Sequence, residues 1–84
     1  MAHNVYAVYD SNDGKLYQFA ALETTLAKDA VLAFMEEKSS ALFGSDSSTK
    51  ESCMTQVSKT DSIESLTEVL NAWDFSFNLI QIVN

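Results

Sequence analysis

The sequence of 84 residues has no arginine, one cysteine, one histidine and two glycines, and these shortages exclude several kinds of site. A single cysteine, Cys53, cannot form a disulfide within the chain. Cys53 and the lone His3 are too few for a zinc-type cluster. Gly14 and Gly44 lie too far apart to build a glycine-rich phosphate loop. Without arginine the chain also lacks the side chain that grips phosphate through two parallel hydrogen bonds.

Positive charge is scarce as well. Five lysines face twelve aspartates and glutamates, which gives a net charge of -7. Such a surface repels DNA, RNA and anionic lipid, because binders of these polyanions need a basic patch. We therefore expect no direct nucleic-acid ligand, no membrane, and a protein partner with a basic surface. The alternative is that the negative charge only keeps a small domain soluble.

Long apolar runs are absent too. No stretch approaches the roughly 20 apolar residues of a membrane helix. The opening MAHNVYAVYD lacks the basic flank and apolar run of a signal peptide. The pattern predicts one cytoplasmic domain over residues 1–84, which is enough chain for a single core.

Two strands joined by a tight turn are predicted near the start. Val5–Tyr9 and Lys15–Ala20 are rich in the β-branched and aromatic residues that favour strands. Between them, Asp13-Gly14 is a strong hairpin signal, because glycine accepts a positive φ at little cost. A calcium-loop interpretation of this turn fails, since the required glycine and glutamate are not at the sixth and twelfth positions.

Two further strands are predicted later in the chain. Phe75–Val83 is apolar on both faces toward its end, which favours an inner strand covered above and below. Cys53–Ser58 is less hydrophobic, which favours an edge strand. The serine-rich segment before it, Gly44–Ser52, is predicted to be an exposed loop.

Two helices complete the prediction. The first is capped by Thr24 or Thr25 and stops at Gly44. Its core stripe comprises Ala27, Ala30, Val31, Phe34 and Met35. The second spans Asp61–Trp73, opens with a capping box formed by Asp61 and Glu64, and carries a stripe of Ile63, Leu66, Leu70 and Trp73. The expected fold is α+β in the order β-β-α-β-α-β, with about four mostly antiparallel strands and both helices on one face.

The most suggestive functional feature is a row of acidic residues on the second helix. Asp61, Glu64 and Glu68 recur at steps of three and four, with no lysine between them. Like charges at these spacings cost a helix about 0.2–0.5 kcal/mol per pair, which indicates a use such as docking on a basic partner. The alternative is that Asp61 and Glu64 serve the helix cap and dipole, which leaves only Glu68 unexplained.

The hairpin offers a second group of candidates. Tyr6 and Tyr17 could stack bases on an open sheet face, but the rim would then carry Asp10 and Asp13 rather than basic residues. Cross-strand pairing explains the rings better. Any ring that remains exposed favours protein binding, so these four residues join the acidic row as candidate partner-binding residues.

No catalytic, cofactor or metal site is predicted. Cys53 and His3 would have to meet in space to act as a nucleophile and its base, and nothing in their spacing indicates this. Adjacent carboxylates such as Glu36 and Glu37 occur in any acidic chain. We therefore expect a protein that is not an enzyme.

The segment VYAVYDSNDGKLYQF, followed by Ala-Val-Leu-Ala-Phe in the first helix, resembles the start of small non-structural proteins of tailless single-stranded-DNA phages. The resemblance covers about the first 35 residues, without a specific motif; the serine-rich segment and the Asp61–Trp73 helix have no counterpart in it.

The functional expectation is a small acidic protein-binding module, of the kind used as phage-type inhibitors or nucleic-acid mimics, an expectation that rests on analogy. The alternative is a structural or oligomerisation module, a homodimer that pairs through the Cys53–Ser58 edge strand or through an exposed aromatic sheet face.

Overall fold

The computed structural model describes residues 2–83, which form a three-stranded antiparallel sheet and four helices. In chain order the elements are β1 (His3–Asp10), β2 (Lys15–Leu22), α1 (Ala27–Glu37), α2 (Ser39–Phe43), α3 (Ser47–Ser58), α4 (Ile63–Ala72) and β3 (Phe75–Val83). The strand order in the sheet is β2-β1-β3. The α+β class is confirmed. The predicted four strands, two helices and β-β-α-β-α-β order are wrong, because the observed order is β-β-α-α-α-α-β.

The β1–β2 hairpin forms where the sequence predicts it. Its turn closes when the Gly14 amide donates to the Asp10 carbonyl at 2.8 Å. Gly14 has a φ of 70°, which is the left-handed conformation that glycine accepts readily. Two carboxylates reinforce the turn by accepting backbone N–H groups, that of Asp10 from Asn12 and that of Asp13 from Lys15.

The helices pack on one face of the sheet. Burial alternates along β2, and Tyr6 and Val8 of β1 and Phe75 and Phe77 of β3 lie in the core against the helices. Ala7, between Tyr6 and Val8, is buried as well, although its side chain is on the other face of the sheet. We call the opposite face the outer sheet face. By strand register it consists of His3, Val5, Ala7, Tyr9, Leu16, Gln18, Ala20, Leu22, Ser76, Asn78, Gln81 and Val83.

The predicted edge strand at Cys53–Ser58 is wrong, because these residues form the second half of α3. The Asp46 carboxylate caps this helix by accepting from the Thr49 amide at 3.0 Å. The helix therefore also takes in most of the segment predicted as the Gly44–Ser52 loop. Cys53 and Val57 are fully buried. They lie four residues apart, a spacing that fits one turn of a helix as well as one face of a strand.

The prediction that β3 is an inner strand is also wrong. Among the described residues β3 pairs with β1 alone and is therefore an edge of the sheet. Phe75 and Phe77 are buried beneath the helices, whereas every residue from Asn78 to Val83 is exposed. The end of the strand is apolar on both sides although it extends beyond the helical layer and is not covered there.

The predicted first helix is interrupted at Lys38, which separates α1 from α2. Its stop at Gly44 is confirmed, since Gly44 follows α2 with a φ of 61°. The predicted threonine cap is wrong, because the N-cap position is Leu26 and no side chain caps α1. The predicted stripe packs as expected, with Ala27 half-buried and its other four members buried.

Helix α4 lies where the sequence predicts a helix, but its cap differs. The capping box is formed by Ser62 and Ser65, each side chain bonding the other's backbone N–H, rather than by Asp61 and Glu64. Leu66 and Leu70 are fully buried, whereas Ile63, the first residue of the predicted stripe, is 50% exposed. Two leucines therefore anchor the helix.

The substitution Leu70→Ala tests this anchoring. It should lower the free energy of unfolding by about 2–5 kcal/mol, because it removes a fully buried side chain and leaves a cavity. Urea unfolding followed by circular dichroism measures the change. The control is Ile63→Ala on the same helix, which should cost less than about 1 kcal/mol because that side chain is half in solvent. Equal costs would contradict the assigned packing.

Candidate functional site

The three acidic residues predicted on the second helix are exposed, and we call Asp61, Glu64 and Glu68 the acidic row. Glu64 and Glu68 are one helical turn apart, about 6 Å along the axis. No lysine lies within ion-pair distance of the row among residues 2–83. The Asp61 carboxylate accepts a long hydrogen bond, 3.4 Å, from the Ser65 hydroxyl. The row therefore presents carboxylates to solvent without a compensating cation.

Core packing and a side-chain hydrogen bond hold α4, the helix that carries Glu64 and Glu68, in place. The opposite side of α4 buries Leu66 and Leu70 against β3 and the other helices. At the far end of α4, the Trp73 indole N–H donates to the side-chain oxygen of Gln56 on α3 at 3.1 Å. The two leucines thus anchor the middle of α4, and the Trp73–Gln56 hydrogen bond anchors its C-terminal end.

The acidic candidates of the hairpin lie at a different place. Ser11, in the hairpin turn, donates through its amide and its hydroxyl to the carbonyl of Asp74, at 3.1 and 2.8 Å. The turn therefore lies at the C-terminal end of α4, whereas Asp61 precedes its N-terminus. Asp13 is exposed, but Asp10 is buried. The structure does not bring the predicted acidic residues into one cluster.

The tyrosine candidates belong to the interior. Tyr6 is 3% exposed and stacks with Phe77, with 5.3 Å between ring centroids. Tyr17 is half-buried and meets Phe34 edge-on at 5.6 Å. Its hydroxyl is buried and has no hydrogen-bond partner within the described part of the chain. Both rings are therefore engaged in aromatic contacts with core residues.

The lysines do little to offset the negative surface. Within residues 2–83 there is one ion pair, between Lys50 and Glu36 at 3.0 Å. Lys28 donates to the carbonyl oxygens of Ser58 and Thr60 and so caps the C-terminal end of α3. Two of the five lysines are thus engaged in holding the helices together.

Sequence reasoning missed an apolar region near the exposed end of β3. Leu26, Ile63 and Leu79 line an open groove of about 520 Å³ between α1, α4 and β3. A smaller groove of about 190 Å³ adjoins it and shares Leu26 and Ile63. Two features of the sequence could have indicated this region. Ile63 belongs to the apolar stripe of α4 but precedes Leu66, its first buried member, and the last residues of β3 are apolar.

The outer sheet face is the other feature that the sequence did not reveal. No aspartate, glutamate or lysine lies on it, although a fifth of the chain is charged. Tyr9, Leu16, Leu22 and Val83 are large exposed hydrophobic residues on this face. The charges of the protein are therefore segregated to the helical side and to the loops.

The chemistry-bearing side chains do not form a constellation. Cys53 is fully buried in α3, and burial raises the pKa of its thiol to about 11. His3 lies on the outer sheet face opposite Leu22 and Val83. No group of three or more metal-ligating side chains occurs within the part of the chain that the structure describes. Within the same residues, no helix has both the length and the apolar character needed to cross a membrane.

Comparison of the chain with protein-family models, with curated proteins and with solved structures finds no match.

The burial of Cys53 has a measurable consequence. At about pH 8 the folded protein should react with iodoacetamide only slowly, whereas urea-unfolded protein should react at the rate of an ordinary thiol, because the thiolate is the reactive form. The pKa is raised from 9.0 to about 11, so the stabilisation due to the buried neutral thiol is complete below pH 9 and is lost as the pH rises toward 11. Fast labelling of the folded protein would show that Cys53 is accessible.

Proposed function

We propose that this protein is a small, acidic, non-enzymatic module that binds another protein by docking the acidic row of α4 on a basic surface. The observation that supports the proposal is that Asp61, Glu64 and Glu68 are all exposed, without a lysine partner within the described chain. Glu64 and Glu68 lie on a helix whose opposite side is anchored in the core, and Asp61 lies just before its N-cap, Ser62.

The geometry of the helix cap strengthens this proposal. Helix capping was the alternative explanation for Asp61 and Glu64, but the reciprocal bonds are made by Ser62 and Ser65. Glu64 still lies in the first turn, where a negative charge is favoured by the helix dipole. Glu68 lies beyond that turn and gains nothing from the dipole. The helix dipole therefore offsets only part of the electrostatic repulsion between the carboxylates of the acidic row.

The chemistry of the row indicates the kind of partner. A surface rich in lysine and arginine would gain charge-assisted hydrogen bonds from the three carboxylates and would be steered toward them over a Debye length. Protein surfaces that bind nucleic acid have this character. The proposal therefore includes action as a phage-type inhibitor or a nucleic-acid mimic, and a cytoplasmic setting, which suits a free, buried Cys53.

The test is to reverse the charge of the row with Asp61→Lys, Glu64→Lys and Glu68→Lys together. Immobilised parent protein should retain a basic protein from a lysate of its native cell at low salt and release it near 1 M salt, where screening is nearly complete. The triple variant should retain none of it. Mass spectrometry of the retained proteins is the measurement.

The matched control reverses Asp29, Glu37 and Glu51, three exposed acidic residues on α1 and α3. This variant changes the net charge by the same amount and should keep the partner. Equal loss of binding in both variants would show a general charge effect. Retention that does not depend on salt would overturn the electrostatic mechanism.

A further inference from the structure

We propose that β3 forms an interface with a second copy of this chain, in which the outer edges of two β3 strands pair antiparallel and join the two sheets. Such an interface is independent of the acidic row and would give the protein a two-fold symmetric dimer.

The outer edge of β3 is unpaired. Within residues 2–83, β3 has β1 on one side and no strand on the other. No backbone or side-chain group of another element within residues 2–83 forms a hydrogen bond with Phe75–Val83, apart from the ladder with β1. Its outward backbone groups therefore form a template for another strand.

β3 also lacks most of the features that protect an edge strand from pairing with another chain. Its nine residues contain no charge, no proline and no glycine. The one irregularity is a bulge at Ile80, since Tyr6 pairs with Leu79 while Val5 pairs with Gln81. The ladder with β1 continues beyond this bulge to Val83. By contrast, the β2 edge starts with an exposed lysine, Lys15.

Exposed apolar side chains flank this edge. Leu79, Ile80, Ile82 and Val83 are all exposed, with Ile82 at 60%. Leu79 also adjoins the groove lined by Leu26 and Ile63 on the helical side. Pairing of two β3 strands would remove apolar surface from water on both faces of the joined sheet, in addition to satisfying the backbone groups.

Charge identifies the occupant as a second copy. A basic partner, which the acidic row would attract, finds no carboxylate on β3 or on the outer sheet face. A second copy brings an identical uncharged strand, so that two chains of net charge -7 meet where neither carries a charge. The remaining acidic residues still repel across the interface. Dimerisation should therefore strengthen as salt rises, the reverse of the salt dependence expected for the acidic row.

The experiment measures the mass of the parent chain by sedimentation equilibrium over a range of concentrations and at two salt concentrations. The mass should rise from that of one chain, 9.3 kDa, toward twice that value as concentration increases, and at lower concentration when salt is high. Exchange of β3 amide hydrogens should slow over the same concentration range. A strict monomer, or a dimer weakened by salt, would overturn the proposal.

Paired variants locate the interface. Ile80→Lys with Ile82→Lys should weaken dimerisation at least about tenfold, because each partner would bury unpaired charge at the seam. Leu16→Lys with Leu22→Lys adds the same charge at exposed sites on β2 and should leave the dimer intact. Circular dichroism verifies that both variants fold; if the β3 pair does not, Ile82→Lys replaces it. Dissociation by the β2 pair would place the interface on the outer sheet face and overturn edge pairing.

Discussion

The stacking of Phe19 on Phe34 is the contact on which the rest of the structure depends. The two rings lie 4.4 Å apart between centroids and are nearly parallel, and they join β2 to α1. Tyr6 extends the cluster from Phe19 to Phe77 and so includes the central strand and β3. Four rings thus tie all three strands to the first helix. Aromatic pairs of this kind contribute about 0.5–1.5 kcal/mol each beyond their buried area. With the inner face of the sheet filled in this way, the remaining helices cover the same face, and the outer sheet face receives no cover from the described chain.

The sequence was informative where one periodicity dominated and misleading where two competed. The Asp13-Gly14 turn and the stop at Gly44 were predictable, because both depend on a glycine with a positive φ. The stripe from Ala30 to Met35 was predictable from its helical spacing.

α3 was missed because Cys53 and Val57 fit either a strand or a helix, and because serines obscured the Asp46 cap. The position of β3 was missed because apolar side chains on both faces do not distinguish a covered strand from one that projects beyond its helices. The acidic row was visible as a spacing, whereas the uncharged outer sheet face required the register of three strands.

Charge segregation divides the surface into two parts with opposite properties. Apart from Asp10, which ends β1 and is buried, the acidic residues lie on the helices and loops, and none lies on β3 or on the outer sheet face. A surface divided in this way allows two contacts at once, one driven by electrostatic attraction and one by backbone pairing and apolar burial. The structural use of Lys28, on two carbonyl oxygens at the end of α3, adds to this division. Lys28 and Lys50 thus bind groups of neighbouring helices, and the helical surface remains negatively charged.

The pairing of β1 with β3 has a consequence for the order in which the chain folds. β1 and β3 are separated in the chain by β2 and by all four helices. The hydrogen bond between Ser11 and Asp74, which joins the turns next to these strands, connects residues 63 positions apart. Contacts so distant in sequence form slowly, because the entropy of closing the intervening loop must be overcome first. The β1–β2 hairpin depends on contacts closer in sequence and can therefore form before β3 pairs with β1. Until β3 pairs, the central strand has one bare edge, and its apolar side chains lack the cover of Phe75 and Phe77. A bare strand edge with uncovered apolar side chains favours association between chains, so the late pairing of β3 also protects the sheet from aggregation.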